Sequence, residues 1–141
     1  MQVPVETVRV PLKAVPMFSA LSLEQLTEVA RHSKIKKLQA GERLLTQGET
    51  GSEFYVVLAG SLSLTVDGKS LSTLKPGDYL GEMALLEDIP RQATADALEP
   101  CELLTLDRQA LLTLLQSSDF SLGLLRGMAR RLREFGEKAA R

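Results

Sequence analysis

Residues 80–92 hold the side chains best suited to chemistry, and they read Leu-Gly-Glu-Met-Ala-Leu-Leu-Glu-Asp-Ile-Pro-Arg-Gln. Gly81 permits backbone angles closed to other residues and the close approach of a ligand. Met83–Leu86 are predicted to form one helical turn, and free amides at the start of such a turn bind anions. Arg91 follows a proline that fixes its loop, and a guanidinium can bind a phosphate through two parallel hydrogen bonds. With the Glu82 carboxylate to accept from a hydroxyl, these groups predict a site for a sugar joined to one anionic phosphate.

A structural interpretation of the same residues stays open. Arg91 could instead form an ion pair with Glu82, while Glu87 and Asp88 are most simply solvated turn residues. An arginine and a carboxylate alone do not distinguish a ligand site from a structural pair.

Enzymatic or metal chemistry has little support in the rest of the sequence. His32 is the one histidine, and no Cys lies near it in the sequence. A metal enzyme on a β-roll needs several His or carboxylate ligands. Cys101, the single cysteine, is interpreted as a core residue and fits a reducing compartment. We therefore expect no enzyme activity, no metal site and no cofactor.

A β-rich body is predicted to position the site. Glycines recur between short strand-like runs, and the Asp-Gly pair at 67–68 predicts a hairpin. Pro76 and Gly77 predict a turn before a strand that ends at Leu80. Further strands are predicted at 43–46, 54–59, 61–66, 70–74, 93–97 and 101–106. This spacing favours an antiparallel β-roll, that is, a jelly-roll-like double-stranded β-helix.

A helix is predicted before the roll. Ser22 can cap it, and Gln25 stands where a capping box requires it. Apolar residues then follow at helical spacing at Leu23, Leu26, Val29 and Ala30. Residues 1–16 contain three prolines and are interpreted as an N-terminal arm or linker. The prediction is a single α+β, mainly β domain over 17–141, with the roll at about 35–107 and two C-terminal helices at about 108–137.

The two C-terminal helices are predicted from their caps and apolar spacing. Asp107 can cap the first, and Ser118 or Asp119 can cap a second that reaches about Glu137. The second helix carries an apolar stripe at three- and four-residue spacing, formed by Leu125, Met128, Leu132 and Phe135. Such a stripe can form a two-stranded coiled coil with a second copy or pack on its own roll, and both interpretations stay open.

Composition and charge narrow the class of protein. The chain has 141 residues, of which 44% are hydrophobic, and this suits one domain with one core. Its net charge of −1 gives no argument for binding nucleic acid or a membrane surface. No stretch approaches the roughly 20 apolar residues of a membrane span, and the N-terminus lacks a secretory signal. We expect a cytoplasmic chain with no membrane span and no contact with nucleic acid.

The sequence resembles the cyclic-nucleotide-binding domain family, which includes catabolite activator proteins, protein kinase regulatory subunits and cyclic-nucleotide-gated channels. The phosphate-binding cassette of that family runs Phe-Gly-Glu-(Leu/Met)-Ala-Leu, a short spacer, and then Pro-Arg-x-Ala-Thr. This chain has Leu-Gly-Glu-Met-Ala-Leu at 80–85 and Pro-Arg-Gln-Ala-Thr at 90–94. Shorter matches lie at 15–21, 41–42, 47–49 and 58–62. The resemblance covers about residues 16–135.

The resemblance implies a role for each cassette residue. Glu82 would contact the ribose 2′-hydroxyl, and Arg91 would contact the exocyclic phosphate oxygens. The rest of the phosphate cradle would come from Gly81 and from backbone amides near Met83, Ala84, Gln92 and Ala93. The base would lie against apolar strand residues, with the last helix closing over it. Gln92 stands where cGMP-selective relatives often carry Thr or Ser, which favours cAMP, and its side chain could reach the base or face solvent.

The leading hypothesis is a regulatory module that binds cAMP or cGMP. It would relay occupancy through movement of its C-terminal helices to an effector domain in a larger protein, and a homodimer through the last helix stays open. The alternatives are a β-roll that binds only protein, and the sensor fragment of a transcription regulator or channel. A complete transcription regulator is disfavoured because the sequence ends at Arg141, before any helix-turn-helix.

Overall fold

The computed structural model describes residues 18, 19, 21–81, 87 and 89–140, except for the side chains of residues 131 and 134–140. The predicted arm at 1–16, the predicted turn at 83–86 and the site residues Glu82, Met83 and Ala84 lie outside the described residues. The described elements are, in chain order, α1 (Leu23–Arg31), β1 (Lys34–Leu38), β2 (Arg43–Leu45), β3 (Glu53–Ala59), β4 (Leu62–Val66), β5 (Lys69–Leu74), β6 (Tyr79–Leu80), β7 (Thr94–Ala97), β8 (Cys101–Asp107), α2 (Arg108–Leu114) and α3 (Ser118–Ala140).

The strands form two antiparallel sheets of four strands each. The first sheet has the order β1-β8-β3-β6, and the second has the order β2-β7-β4-β5. Consecutive strands such as β7 and β8 lie in different sheets, so the chain crosses repeatedly between the two layers. This arrangement confirms the predicted α+β, mainly β class and the antiparallel β-roll with one helix before it and two after it.

Both predicted turns are present, and each uses glycine where φ is positive. Asp67 and Gly68, with φ values of 53° and 75°, join β4 to β5 as the Asp-Gly pair predicted. In the turn before β6, the Asp78 amide donates to the Lys75 carbonyl oxygen at 2.9 Å, and Gly77 has a φ of 97°. This second turn sets the direction of the short strand that leads to the candidate site.

The helix starts agree with the sequence at two of three places. Gln25 and Ser22 exchange both capping-box bonds, at 3.1 and 2.8 Å. The Asp107 carboxylate accepts from the Ala110 amide at 2.7 Å. The predicted cap of the last helix, Ser118 or Asp119, was wrong. Ser117 caps this helix, since its hydroxyl accepts from the Phe120 amide at 3.3 Å.

Strand β1 is a further difference from the sequence-based interpretation, which did not place a strand there. Three of its five residues are lysines, and only Leu38 is buried. The strand forms because its backbone pairs with β8 from Lys34–Thr105 to Leu38–Cys101. The exposed lysines suit its position at the edge of the sheet, where charged side chains discourage pairing with another chain.

Two groups of buried side chains hold these layers together. Leu62, Val57, Leu80 and Leu103 belong to a cluster inside the roll. The other cluster lies where the helices cover the first sheet and includes Phe54, Tyr79, Leu104, Leu111 and Phe120. The Phe18 ring, just before α1, stacks on the Phe120 ring with centroids 5.7 Å apart. The N-terminal and C-terminal helical segments therefore share one core.

The last helix packs on the roll through a different stripe from the one predicted. Phe120 and Leu124 are buried, and Met128 packs against the same cluster, at four-residue spacing. Leu125 and Leu132 of the predicted stripe are 61% and 72% exposed, and the side chain of Phe135 lies outside the described residues. Their packing against a second copy stays a prediction. None of the helices within the described ranges is both long enough and apolar enough to cross a membrane.

Candidate ligand-binding site

Backbone hydrogen bonds fix the position of Arg91. The Arg91 amide donates to the Glu49 carbonyl oxygen at 2.8 Å, and the Arg91 carbonyl oxygen accepts from the Gly48 amide at 2.9 Å. These two bonds tie Arg91 to the connection between β2 and β3. The backbone from which the Arg91 side chain extends is thus fixed against the β2–β3 connection.

The Arg91 side chain is buried, with only 5% of the residue exposed. Its Nη1 donates to the Gly81 carbonyl oxygen at 3.2 Å, and its Nη2 donates to the Glu53 carbonyl oxygen at 2.8 Å. The guanidinium carbon lies 6.0 Å from the centre of the Tyr55 ring. A guanidinium has five N–H donors, so these two bonds leave donors for a further acceptor.

No ion pair among the described residues includes Arg91. Ion pairs in that part of the chain include Arg31–Glu28, His32–Glu28, Lys37–Glu102 and Arg43–Asp96. Glu82, the partner considered in the structural interpretation of Arg91, lies outside the described residues, so that pairing remains untested. A buried guanidinium is costly without a compensating charge, which Glu82 or a bound anion would supply.

Gly81 adjoins Arg91, and its conformation requires glycine. Its φ is 93°, and a Cβ at this position would lie 2.8 Å from Arg91 Nη1 and 2.9 Å from the Glu53 carbonyl oxygen. The sequence predicted that a ligand comes close to the Gly81 backbone. In the structure, the Arg91 side chain and strand β3 are the groups that lie this close to it. Gly81 and Arg91 are brought together as predicted from the sequence pattern, although their contact with a ligand stays a prediction.

Arg91 lines a cavity of about 450 Å³ at the start of β3. That volume lies within the ~300–1,000 Å³ typical of small-molecule sites. The cavity is lined by Arg43, Leu44, Leu45, Thr46, Glu49, Thr50, Gly51, Ser52, Glu53, Tyr55 and Arg91. It joins β2, the β2–β3 connection and the loop that carries Arg91, so one ligand could contact all three.

The charges in this cavity differ in how they are compensated. Arg43 donates to both Asp96 carboxylate oxygens, from Nε at 2.8 Å and from Nη2 at 3.3 Å, and this pairing raises the pKa of Arg43. Arg91 has no such carboxylate among the described residues. Of the two arginines that line this cavity, Arg91 is the one without a carboxylate partner among the described residues.

Tyr55 gives the cavity a neutral hydroxyl. The pKa of Tyr55 is raised to about 12, mainly by burial and also by the negative charge of Glu53, while the positive charge of Arg91 opposes the change. Its hydroxyl donates to the Glu53 carboxylate at 3.4 Å. The Tyr55 hydroxyl can therefore donate or accept a hydrogen bond with a polar ligand without a change in its own protonation near neutral pH.

Gln92 faces solvent in this structure. Its side chain is exposed, and its Nε2 donates to the Pro90 carbonyl oxygen at 3.2 Å. It does not line the cavity. Ala93 is partly buried, and no hydrogen bond between the described residues uses the backbone N–H of Gln92 or Ala93. Those two amides are therefore free of described partners, as the predicted phosphate cradle requires.

The other sequence candidates lie apart from this cavity. His32 Nε2 lies 3.5 Å from the Glu28 carboxylate on the exposed side of α1. Cys101 is 3% exposed, and burial raises the pKa of its thiol, so its interpretation as a core residue is confirmed. Among the residues that the structure describes, no group of three or more His, Cys, Asp and Glu side chains has the geometry to hold a metal ion.

Sequence reasoning did not single out Gly51, Glu53 or Tyr55. Glu53 contributes a backbone carbonyl, which no side-chain pattern reveals. Tyr55 resembles any other buried strand residue in the sequence, and Gly51 resembles a turn glycine. The one available signal was the alternation in β3, which places Tyr55 and Val57 together inside the roll.

Comparison with known proteins gives a family match over the same region. Residues 35–118 match the family model described as "Cyclic nucleotide-binding domain". The cAMP-dependent protein kinase regulatory subunit of Debaryomyces hansenii is 38% identical over 105 residues, which are 74% of this chain and 23% of that protein. The chain thus spans about a quarter of the length of that curated relative.

Solved structures agree with the sequence match. A structure described as "cAMP bound PfPKA-R (141-441)" superposes with a TM-score of 0.84 at 28% identity, covering 96% of this chain and 47% of that one. The catabolite activator protein of Thermus thermophilus superposes with a TM-score of 0.78 at 32% identity, covering 89% of this chain and 62% of that one. With 84 of its 141 residues matched by the family model, the chain belongs to the cyclic nucleotide-binding domain family.

Proposed function

We propose that this chain binds a cyclic nucleotide monophosphate, with cAMP preferred over cGMP, and that it relays occupancy through its C-terminal helices. The observation that carries the proposal is Arg91, which is 5% exposed, borders the cavity and has no carboxylate partner among the described residues. An exocyclic phosphate carries a single negative charge and planar pairs of acceptor oxygens that suit a guanidinium.

Two further groups support a phosphate beside Arg91. The backbone amides of Gln92 and Ala93 have no partner among the described hydrogen bonds and lie next to Arg91 in the chain. Amides with no such partner can donate charge-assisted hydrogen bonds to phosphate oxygens. Glu82, through the family resemblance, would accept from the ribose 2′-hydroxyl.

The preference for cAMP has two supports. The matched curated relatives are named cAMP-dependent, and one structural neighbour is described as bound to cAMP. Gln92 has no hydroxyl with which to recognise the guanine base of cGMP. Its side-chain amide faces solvent and donates to the Pro90 carbonyl oxygen. Selectivity would then come from the apolar and polar lining of the roll.

We also propose that the chain is a regulatory module and not an enzyme. The matched relatives are named as kinase regulatory subunits and a catabolite activator protein, and these names support a regulatory role. The effector of this chain would therefore be a separate domain or partner. Movement of α3, which packs on the roll through Phe120, Leu124 and Met128, would carry the signal to it.

Isothermal titration with cAMP, cGMP and 5′-AMP tests this proposal. We expect saturable one-to-one binding of cAMP, weaker binding of cGMP and much weaker binding of 5′-AMP, whose phosphate is not closed into a ring. Arg31→Ala is the control for Arg91→Ala, because Arg31 is an exposed arginine on α1 away from the cavity. Absence of binding to both cyclic nucleotides by folded protein would favour a β-roll that binds only protein.

A further inference from the structure

Gly51 lies directly beneath the Arg91 guanidinium. A Cβ built on Gly51 would overlap the Nε, Nη2 and Cζ atoms of Arg91. The backbone of Gly51 does not have a positive φ, in contrast to Gly48 and Gly81, whose φ values are 88° and 93°. Glycine is therefore required at position 51 by the space that Arg91 occupies and not by the backbone conformation.

Arg91 fills this space in a fixed orientation. One side of its guanidinium faces Gly51, while its two Nη atoms donate to the carbonyl oxygens of Gly81 and Glu53. A methyl group at Gly51 would occupy the volume of the guanidinium itself, so the side chain would have to leave these two bonds. Bidentate recognition of an anion depends on the orientation of the planar fork, and a displacement of about 1 Å at such a site has a large effect on binding.

We infer that Gly51 is a positioning residue, which holds the Arg91 guanidinium in the orientation needed to bind the ligand phosphate. The inference about orientation stands on the contact between the two residues. Its consequence for ligand affinity rests on the proposed function. Gly51 itself contributes no side-chain atom to the cavity and acts only by leaving space for Arg91.

A double-mutant cycle on thermal stability, without nucleotide, tests the contact. Gly51→Ala should lower Tm in the wild-type background, because the methyl group overlaps Arg91. In the Arg91→Ala background the same substitution should not lower Tm, because the overlapping group is gone and alanine is compatible with the backbone. Gly41→Ala is the matched control: Gly41 has a φ of 88° and open space around its Cβ, so its cost should be equal in both backgrounds.

An NMR measurement gives a readout that a general loss of stability would not produce. The Arg91 Nε–H resonance, assigned by its absence in Arg91→Ala, should shift or broaden in Gly51→Ala and stay in place in Gly41→Ala. At a temperature where both variants are folded, Gly51→Ala should also lose at least tenfold in cAMP affinity while Gly41→Ala retains it.

The outcomes separate this inference from the proposed function. An equal drop in Tm in both backgrounds, with the Arg91 resonance unmoved by Gly51→Ala, would overturn the positioning role. Wild-type protein that binds no cyclic nucleotide, together with a non-additive cycle and a shifted resonance, would overturn the proposed function and leave the positioning of Arg91 supported.

Discussion

The ring of Tyr79 lies directly over Gly127 of the last helix. A Cβ at Gly127 would come within 2.7 Å of the Tyr79 hydroxyl oxygen and 2.9 Å of its Cε1. The same hydroxyl donates to the carbonyl oxygen of Leu124, one turn earlier in α3, at 3.5 Å. Tyr79 begins the two-residue strand β6, and Gly81 follows that strand directly. The last helix therefore packs against the strand that leads to Gly81 and the candidate site.

This contact makes a prediction for Gly127→Ala. In an isolated helix the change would stabilise by about 1 kcal/mol, since alanine has the higher helix propensity. Here we expect the opposite, because overpacking against the Tyr79 ring costs about 1–3 kcal/mol. Urea unfolding should show lower stability, and hydrogen exchange should show faster opening of α3. A gain in stability equal to the helix propensity would contradict the packing described.

The raised pKa of Tyr55 predicts that the folded protein loses stability at high pH. Burial raises its pKa to about 12 in the folded protein, against an unfolded value near 10. The unfolded chain then loses the proton first, so stability is fully present below about pH 10 and falls as the pH rises from about 10 towards 12. Urea unfolding at pH 9, 10 and 10.5 should show this decline for wild type, and Tyr55→Phe should show less of it. Equal slopes for the two proteins would contradict the shifted pKa.

Sequence patterns predicted the parts of the fold that depend on local chemistry. The Asp67-Gly68 hairpin, the capping box at Ser22 and the cap at Asp107 each follow from side chains bonding to nearby backbone. Strand β1 was missed because its exposed lysines hide a pairing that only β8 reveals. The residues of α3 that pack on the roll were not distinguished from the sequence, because Leu125 and Leu132 match a heptad as well as Phe120 and Leu124 match a four-residue spacing.

For the site, sequence reasoning identified Arg91 and Gly81 but not the groups that position the Arg91 side chain. Arg91 and Gly81 were identified by type and spacing, and the structure brings them into contact. Gly51 and the Glu53 carbonyl oxygen were not identified, because they meet Arg91 only after β3 has folded beside the loop. Backbone acceptors and the space left by a glycine have no side-chain signature in a single sequence.

The role proposed for Glu82 predicts that nucleotide affinity depends on the ribose 2′-hydroxyl. If its carboxylate accepts from the 2′-hydroxyl, 2′-deoxy-cAMP should bind wild type less tightly than cAMP does. Glu82→Gln should weaken cAMP binding less than Arg91→Ala does, because an amide oxygen still accepts without the charge. Glu82→Ala should bind the two nucleotides almost equally. Titration calorimetry measures all of these affinities, and equal binding of both nucleotides to wild type would contradict the role of Glu82.

The proposed relay through α3 predicts a change far from the proposed phosphate site. The packed face of α3 is short and contains Gly123 and Gly127, so its local stability should be low and sensitive to a ligand beneath it. Hydrogen exchange with and without cAMP should show increased protection in residues 118–130 as well as in 80–94. Protection confined to 80–94 would mean that binding is not transmitted to the last helix.

The most direct measurement is the titration of wild type and Arg91→Ala with cAMP. Charge-assisted hydrogen bonds contribute about 1.5–3 kcal/mol each, so the loss of two should weaken binding roughly a hundredfold or more. Arg91→Lys should also bind poorly, because an ammonium cannot reproduce the planar fork. Circular dichroism establishes that each variant is folded at the temperature used. Binding by folded Arg91→Ala within threefold of wild type would contradict the assignment of this cavity as the cyclic-nucleotide site.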